Sequence, residues 1–206
     1  MGLEIIILAA GQGTRMHSSL PKVLHRIGHL PLLEHVYRLA VSLGAEKTSI
    51  IYGHGGDRVR SELSHLDADW VEQRERLGTG HAVQQMADRI NPEATVLILY
   101  GDVPLLKRPT AEKLLDLAHG GALGVLTVRL DDPTGYGRIV RNEQGEMLRI
   151  VEEKDCSASE RRIQEGNSGI LAVNGRKLKD WLSRLTNDNA QREYYLTDII
   201  GFAVND

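Results

Sequence analysis

A short apolar run near the start of the chain, followed at once by glycines, constrains the fold most strongly. Residues 5–10 read Ile-Ile-Ile-Leu-Ala-Ala, and Gly11 and Gly13 come just after them. Periodicity cannot distinguish a buried strand from a buried helix in so short a run, but its β-branched residues and the glycines indicate a strand. The sequence therefore predicts a buried strand that leads directly into a loop.

The loop after this strand combines backbone freedom with positive charge. Gly11 and Gly13 permit a sharp turn, and successive N–H groups in such a turn form an anion-binding concavity. A Gly-x-Gly turn is also common for purely structural reasons, but Arg15 and Lys22 favour a phosphate site. The P-loop ending Gly-Lys-Ser/Thr is missing, and the dinucleotide fingerprint requires glycine where Met16 stands, so both of those motifs are disfavoured.

Strand and helix patterns alternate along most of the chain. We predict strands at 47–52, 69–73, 95–100 and 124–130, and helices at 31–43, 57–66, 79–90, 108–119, 176–185 and 196–204. This alternation predicts an α/β fold with a mainly parallel sheet and right-handed crossovers. A hairpin at 137–141 and 147–152 and a strand at 167–173 predict a β-rich lobe that covers the substrate.

Composition excludes several classes of protein. At 206 residues we expect one domain, 1–206, and a net charge of -3 provides no basic field for nucleic acid or a membrane surface. The apolar run is too short for a signal peptide or a membrane span. Cys156 is the one cysteine, which suits a reducing compartment, so a cytoplasmic protein with no nucleic-acid or membrane partner is expected.

Ligands of parallel sheets bind at the carboxyl ends of the strands, and two further loops are expected there. Asp102 follows a buried strand and a glycine, where its carboxylate can hold Mg²⁺ together with phosphate oxygens and water. The loop 73–80 can present an amide and backbone N–H groups to a planar base. The alternatives are that Asp102 is an ordinary turn residue and that the loop is a helix cap.

Other catalytic chemistries find little support. His25 and His29 have the i, i+4 spacing of zinc ligands, but Gly28 and Pro31 argue against a helix there. Neither a Ser-His-Asp nor a Cys-His arrangement can be recognised. A phosphate monoester acting as nucleophile is already ionised at pH 7, so an enzyme using one needs alignment and charge neutralisation rather than a general base.

Several motifs together resemble a known family. Leu8 to Met16, followed by Leu20 to His25, resembles the signature of the sugar-nucleotide pyrophosphorylases. More narrowly, it is similar to the uridylyltransferase domain of bacterial N-acetylglucosamine-1-phosphate uridylyltransferases. Further matches lie at 52–57, 77–82, 100–105, 131–139, 167–170 and 193–199. The first motif also fits cytidylyl- and thymidylyltransferases, which lack the later segments as a set.

The resemblance implies a Rossmann-like, three-layer fold of the nucleotide-diphospho-sugar transferase type, and it implies a role for individual residues. Arg15 and Lys22 would be catalytic, binding the triphosphate and stabilising the charge that develops on the α-phosphate and pyrophosphate. Asp102 would be a Mg²⁺ ligand. The residues that would hold uridine and line the cleft are Leu8, Ala9, Ala10, Gly11, Gln73, Gly78, Thr79, Tyr100 and Gly101. Those that would bind N-acetylglucosamine are Gly137, Glu152 and Asn167.

The resemblance also implies the reaction. Family members convert UTP and N-acetylglucosamine 1-phosphate into UDP-N-acetylglucosamine and pyrophosphate, which feeds peptidoglycan and lipopolysaccharide synthesis. The usual member carries a β-helix acetyltransferase domain that makes it bifunctional and trimeric, and its first domain extends further and supplies a second metal ligand, an asparagine. The present sequence matches neither part, so we expect a C-terminally incomplete nucleotidyltransferase domain. Alternatives are a UDP-sugar-binding fragment without turnover and a related enzyme using CTP or dTTP.

Overall fold

The computed structural model describes residues 2–11, 16, 18–53 and 56–206. Its helices and strands alternate through the first half of the chain, and strands dominate the next part. The strands are β1 (Leu3–Ala9), β2 (Arg26–Ile27), β3 (Leu30–Pro31), β4 (Lys47–Gly53), β5 (Asp69–Gln73), β6 (Thr95–Tyr100), β7 (Gly124–Arg129), β8 (Arg138–Arg141), β9 (Met147–Val151) and β10 (Glu165–Asn174). The α-helices are α1 (Leu32–Ser42), α2 (Asp57–Glu62), α3 (Thr79–Gln84), α4 (Arg108–His119), α5 (Gly175–Arg184) and α6 (Ile199–Asn205).

The main sheet is mixed, with a parallel half and an antiparallel half. Its strand order is β5-β4-β1-β6-β10-β8-β9, and β7 pairs with β10. The pairings among β5, β4, β1 and β6 are parallel, whereas β10 runs antiparallel to β6, β7 and β8. The chain leaves β1 towards β4 on one side and returns to β6 on the other. This reversal places a topological switch point at the carboxyl end of β1, where ligands of open α/β sheets bind.

The apolar run that opens the chain forms the central strand of this sheet. Ile5 and Ile7 face one core, which contains α1, α2 and α4, while Ile6 and Leu8 face the other, which contains α3, α5 and α6. Side chains alternate across a strand, so only a strand covered on both faces requires apolar residues at every position. The expected three-layer fold of the nucleotide-diphospho-sugar transferase type is confirmed.

Several predicted helices are shorter than the sequence pattern indicated. The predicted helix 79–90 is wrong in its second half, where α3 ends at Gln84 and a separate 3₁₀ turn covers Ala87–Arg89. The predicted helix 57–66 ends at Glu62, and 196–204 begins as a 3₁₀ turn before α6. Of the helices in the described parts of the chain, none has the length and apolar character that crossing a membrane requires.

The β-rich lobe is an extension of the main sheet. The predicted hairpin is β8 and β9, and it joins the sheet through the pairing of Arg138 with Gly166 on β10. Strand β10 begins at Glu165, two residues earlier than predicted, and is irregular between Asn167 and Leu171, where its register with β7 shifts. A bulge of this kind bends a strand and redirects its side chains. The irregularity lies at the end of β10 that approaches the predicted site.

Candidate active site

A cavity of about 430 Å³ lies at the carboxyl ends of β1, β5 and β6. This volume falls within the usual range of small-molecule sites. Its position at the switch point follows from the strand order, since three parallel strands end at the same edge of the sheet. The residues that line it are Leu8, Ala9, Ala10, Gly11, Lys22, Val23, Gln73, Arg76, Gly78, Thr79, Ala82, Tyr100, Asp102 and Glu193.

The cavity wall includes most of the residues predicted to bind the nucleotide. The strand-to-loop stretch from Leu8 to Gly11 forms one side, and Lys22 lies beside it. Gly101 is not in the wall. Its N–H donates to the carbonyl of Leu8 at 2.9 Å, and a Cβ at Gly101 would lie 3.1 Å from a methyl of Leu33, so Gly101 lets two strand ends pack closely below the cavity. The predicted catalytic residue Arg15 lies outside the described residues.

The loop between β5 and α3 is held in shape by hydrogen bonds to a buried amide. Gln73 is only 3% exposed, and its Nε2 donates to the carbonyl of Gly78 at 3.0 Å and lies 3.1 Å from Nδ1 of His81. Gly78 has a φ of +109°, and a Cβ there would lie 2.5 Å from the carbonyl oxygen of Tyr194. Glycine is therefore required by both backbone conformation and space. Gly78 is the N-cap of α3.

Lys22 and Asp102 form an ion pair at the mouth of the cavity. The two side chains come from different elements, Lys22 from a 3₁₀ turn after the glycine loop and Asp102 from the loop after β6. Both side chains are partly exposed, at 38% and 25%, so both remain accessible to a ligand. The pair places one cation and one carboxylate side by side in the cavity, which are the groups needed to bind a phosphate chain together with a metal ion.

The three residues predicted to bind the sugar lie close together but outside the cavity wall. The N–H of Asn167 donates to the carbonyl of Gly137 at 2.8 Å. A Cβ at Gly137 would lie 3.3 Å from Oε2 of Glu152, so the Glu152 carboxylate lies directly over this glycine. The structure therefore brings strands β8, β9 and β10 together at one point. We call this point, at Gly137, Glu152 and Asn167, the sugar side after its predicted role, and the cavity the nucleotide side.

Tyr100 lies between the two halves. It ends β6, lines the cavity and contacts Gly169 of β10, where a Cβ would lie 2.5 Å from its ring. Burial, followed by the negative charges of Glu152 and Asp102, raises the pKa of the Tyr100 phenol well above its usual value. The phenol is therefore neutral throughout the physiological range and keeps a proton to donate. Its contacts connect the nucleotide side of the site with the sugar side.

Segment 193–198 contacts both halves and was given no role by the sequence reasoning. On the nucleotide side, Gly80 N donates to Tyr194 O and Tyr194 N donates to Leu77 O, both at 2.7 Å, while Leu196 N donates to Thr79 Oγ1 at 3.1 Å. On the sugar side, Thr197 Oγ1 donates to Glu152 Oε1 at 2.9 Å. The motif Glu-Tyr-Tyr-Leu-Thr-Asp was visible in the sequence, but its contacts span more than 100 residues and required the fold.

A group of carboxylates surrounds the sugar side. Burial raises the pKa of Glu152. Burial, followed by the negative charges of Glu152 and Asp155, raises the pKa of Asp198 to about 6. Within the described parts of the chain, no group of three or more His, Cys, Asp or Glu side chains has the arrangement of a metal site. Asp198 therefore changes its charge near pH 6.

The raised pKa of Asp198 predicts that stability falls as the pH rises. The folded protein holds this proton more tightly than the unfolded chain, so the favourable contribution is complete below about pH 4 and is lost as the pH passes through about 6. We expect Asp198→Asn to raise the free energy of unfolding at pH 7.5 by about 1 kcal/mol, with little change at pH 4. Urea unfolding across this range measures it, and Asp188→Asn, which removes an exposed carboxylate, is the control. Equal effects of both variants would contradict the assignment.

A model of a known protein family matches most of the chain. The profile described as the MobA-like NTP transferase domain matches residues 5–193. The chain belongs to this family. Membership of the MobA-like NTP transferase family confirms that the chain is a nucleotidyltransferase domain. The matched range includes the glycine loop, the β5–α3 loop, Asp102 and the three residues of the sugar side.

Curated relatives of this MobA-like domain are considerably longer. The chain is 64% identical over 204 residues to the bifunctional protein GlmU of Methylococcus capsulatus, covering 99% of this chain and 44% of that protein. It is 52% identical over 206 residues to the bifunctional protein GlmU of Idiomarina loihiensis, covering 100% of this chain and 45% of that protein. The chain thus spans less than half the length of these relatives.

A solved structure shares the fold of the MobA-like domain. The crystal structure of UDP-glucose pyrophosphorylase complexed with UDP-glucose matches with a TM-score of 0.75 at 17% sequence identity. The match covers 100% of this chain and 88% of the other. At that identity the likeness concerns the arrangement of helices and strands, and it confirms the fold class expected from the sequence.

Proposed function

We propose that this chain transfers the uridylyl group of UTP to N-acetylglucosamine 1-phosphate, giving UDP-N-acetylglucosamine and pyrophosphate. The observation that carries the proposal is the cavity at the switch point, which brings together the stretch from Leu8 to Gly11, the loop between β5 and α3 and the Lys22–Asp102 pair. The similarity to GlmU proteins supports nucleotidyl transfer for UDP-sugar synthesis, and the fold is shared with a UDP-glucose pyrophosphorylase. The choice of UTP and N-acetylglucosamine 1-phosphate is what the resemblance of the sequence motifs implies.

The reaction needs alignment and neutralisation of charge more than proton transfer. A phosphate oxygen of the sugar phosphate forms a bond to the α-phosphorus of UTP, the bond from that phosphorus to the bridging oxygen breaks, and pyrophosphate leaves with the electron pair. No proton has to move, because the attacking phosphate is already ionised. The Lys22 ammonium lies in the cavity wall, where it can stabilise the negative charge that grows on the leaving group.

The residues present fit a magnesium ion. Asp102 supplies one carboxylate at the cavity, and Mg²⁺ in such sites takes one or two carboxylates and completes its shell with phosphate oxygens and water. When bound, the ion would neutralise phosphate charge. Lys22 is paired with Asp102, so its ammonium would contact the same phosphate chain beside the ion. We propose Mg²⁺ as the cofactor on these grounds.

Release of pyrophosphate tests the proposal directly. The chain is incubated with UTP, N-acetylglucosamine 1-phosphate and Mg²⁺, and pyrophosphate and the UDP-sugar are quantified. Parallel reactions replace UTP by CTP or dTTP, and the sugar phosphate by glucose 1-phosphate. We expect the highest kcat/KM for UTP with N-acetylglucosamine 1-phosphate. Binding of the UDP-sugar without any turnover, or preference for another nucleotide, would overturn the proposal.

The buried Gln73 amide predicts which bases are accepted. Its Nε2 already contacts Gly78 and His81, so Oε1 is the atom suited to accept a hydrogen bond from N3–H of uracil. Cytosine offers an acceptor at that position. We expect Gln73→Ala to lower kcat/KM for UTP by about 100-fold and for CTP far less, because a site built to bind a polar edge discriminates through that bond. Gln164→Ala, an exposed glutamine outside the cavity, is the control; an unchanged UTP-to-CTP ratio in Gln73→Ala would exclude this role.

A further inference from the structure

Arg138 is a fully buried arginine in the β-rich lobe. It is the first residue of β8 and only 1% exposed, the largest of the fully buried side chains. Removing a guanidinium from water costs several kcal/mol unless its hydrogen bonds are met by the protein. Its Nε has no hydrogen-bond partner among the described residues. An apolar side chain would fill this position at lower cost, so stability alone does not account for an arginine here.

The other two nitrogens of Arg138 clamp one turn to another. Nη1 donates to the carbonyl of Tyr136, and Nη2 forms an ion pair with Oε2 of Glu153 at 2.7 Å. The same Glu153 oxygen accepts the N–H of Gly135 at 3.1 Å. Arg138 and Glu153 therefore hold the backbone on both sides of residue 136. We call these two side chains the 138–153 clamp.

The clamp lies next in sequence to two of the residues assigned to the sugar. Gly137 separates Tyr136 from Arg138, and Glu152 precedes Glu153. The carboxylate of Glu152 lies directly over Gly137, since a Cβ at Gly137 would be 3.3 Å from its Oε2. Fixing residues 136, 138 and 153 therefore fixes the position of Gly137 relative to Glu152.

The charges around the clamp are consistent with a fixed pair. Hydrogen bonding from Arg138, followed by that from Gly135 N–H, lowers the pKa of Glu153, so Glu153 stays ionised at neutral pH. Two further titratable groups in the described part of the chain feel the charge of Arg138: Asp132, before the same turn, and Cys156, after the 3₁₀ turn at Glu153–Asp155. Glu153 thus keeps its negative charge over the range in which an enzyme assay is run.

We propose that Arg138 and Glu153 are positioning residues for the sugar, setting the distance between Gly137 and Glu152 without touching the substrate. This inference rests on the proposed function, since it assumes that a sugar occupies that half of the site. It predicts a change in sugar binding that is larger than any change in nucleotide binding. A clamp that served only stability would leave the ratio of sugar binding to nucleotide binding unchanged.

The test compares binding of UDP and UDP-N-acetylglucosamine, measured by calorimetry, in the wild type and in the double variant Arg138→Met/Glu153→Gln. The double variant leaves no buried charge unpaired, and replacement of a buried ion pair by uncharged groups is often neutral for stability. We expect the ratio of the affinity for UDP-N-acetylglucosamine to the affinity for UDP to fall by about 10-fold or more in the double variant, because small displacements in a site have large effects. The affinity for UDP itself should change less than about 2-fold. KM for the sugar phosphate should rise in parallel, and KM for UTP should not.

Two further variants keep the outcomes distinct. Arg138→Lys, which keeps a positive charge beside Glu153 but loses the planar guanidinium that reaches both Tyr136 and Glu153, tests the clamp where the double variant folds poorly. It should show the same selective loss. Val59→Ala, which truncates a buried side chain in α2, is the stability control. It should change neither the ratio of UDP-N-acetylglucosamine affinity to UDP affinity nor the ratio of the KM values for sugar phosphate and UTP. The inference is overturned if the clamp variants keep the wild-type ratio of UDP-N-acetylglucosamine affinity to UDP affinity. It is also overturned if the wild type binds these two ligands equally. A wild type that prefers the UDP-sugar but releases no pyrophosphate overturns the proposed function instead.

Discussion

Lys22→Met is expected to lower kcat for pyrophosphate release by about 10²–10³-fold, with a much smaller rise in the KM for UTP. A preorganised positive group that faces developing charge in an enclosed site contributes on this scale, and its effect is concentrated in the transition state. Lys22 lies in the cavity wall at the end of the glycine loop. Steady-state kinetics with UTP varied at saturating sugar phosphate measure it. Lys113→Met, which removes an exposed lysine of α4, should leave both constants unchanged.

Asp102 has two proposed roles, holding Lys22 in place and binding Mg²⁺, and variants of the Lys22–Asp102 ion pair can separate them. If Asp102 both tethers Lys22 and binds Mg²⁺, Asp102→Asn should lower kcat and shift the Mg²⁺ titration to higher concentration. If it is only a tether, the titration will not move, and the double variant Lys22→Met/Asp102→Asn will be no slower than Lys22→Met. An unchanged titration would therefore remove Asp102 from the metal. Equal losses in kcat and UTP binding for Lys22→Met would contradict a role in the transition state.

The parallel half of the fold could be predicted from the sequence because its signals are local. The run from Ile5 to Ala9 is buried on both faces, and each later parallel strand ends at a glycine or a polar residue that marks the edge of the sheet. Strand ends that meet at one edge predicted the cavity, and Gln73 and Asp102 do line it together. Helix α4 matched its predicted bounds, since its apolar positions keep a helical period throughout.

The connections within the site could not be predicted in the same way. The contacts of segment 193–198 with Thr79 and Glu152 depend on the 3₁₀ turn at Leu196–Asp198, which packs against α3 and β9. The burial of Arg138 was invisible as well, because an arginine in a hairpin is usually solvated. Helix 79–90 was predicted too long because its apolar residues continue in phase beyond Gln84, although the backbone there tightens into a 3₁₀ turn. Local pattern identifies elements, whereas tertiary packing decides their ends and partners.

Gly169→Ala is expected to damage both stability and nucleotide binding, and a second glycine separates the causes. Gly169 and Gly121 have nearly the same φ, +85° and +86°. A Cβ at Gly121 would meet nothing within 4 Å, whereas at Gly169 it would lie 2.5 Å from Cε2 and 2.9 Å from Cζ of Tyr100. Gly121→Ala therefore carries only the backbone cost of a left-handed residue, about 1 kcal/mol. Gly169→Ala carries that cost and an overpacking cost, about 3 kcal/mol in all.

The same pair of variants shows whether Tyr100 connects the two halves of the site. An added methyl group at residue 169 can be accommodated only if the Tyr100 ring moves, and the ring forms part of the cavity wall. We expect Gly169→Ala to weaken UTP binding by about 10-fold, since a small displacement of a positioning group has effects of this size, while Gly121→Ala binds UTP as the wild type does. Urea unfolding gives the stabilities and calorimetry the affinities. If the two variants lost equal stability and bound UTP equally well, the close packing of Gly169 against Tyr100 would have no functional consequence, and the link between the nucleotide side and the sugar side would have to run through segment 193–198 alone.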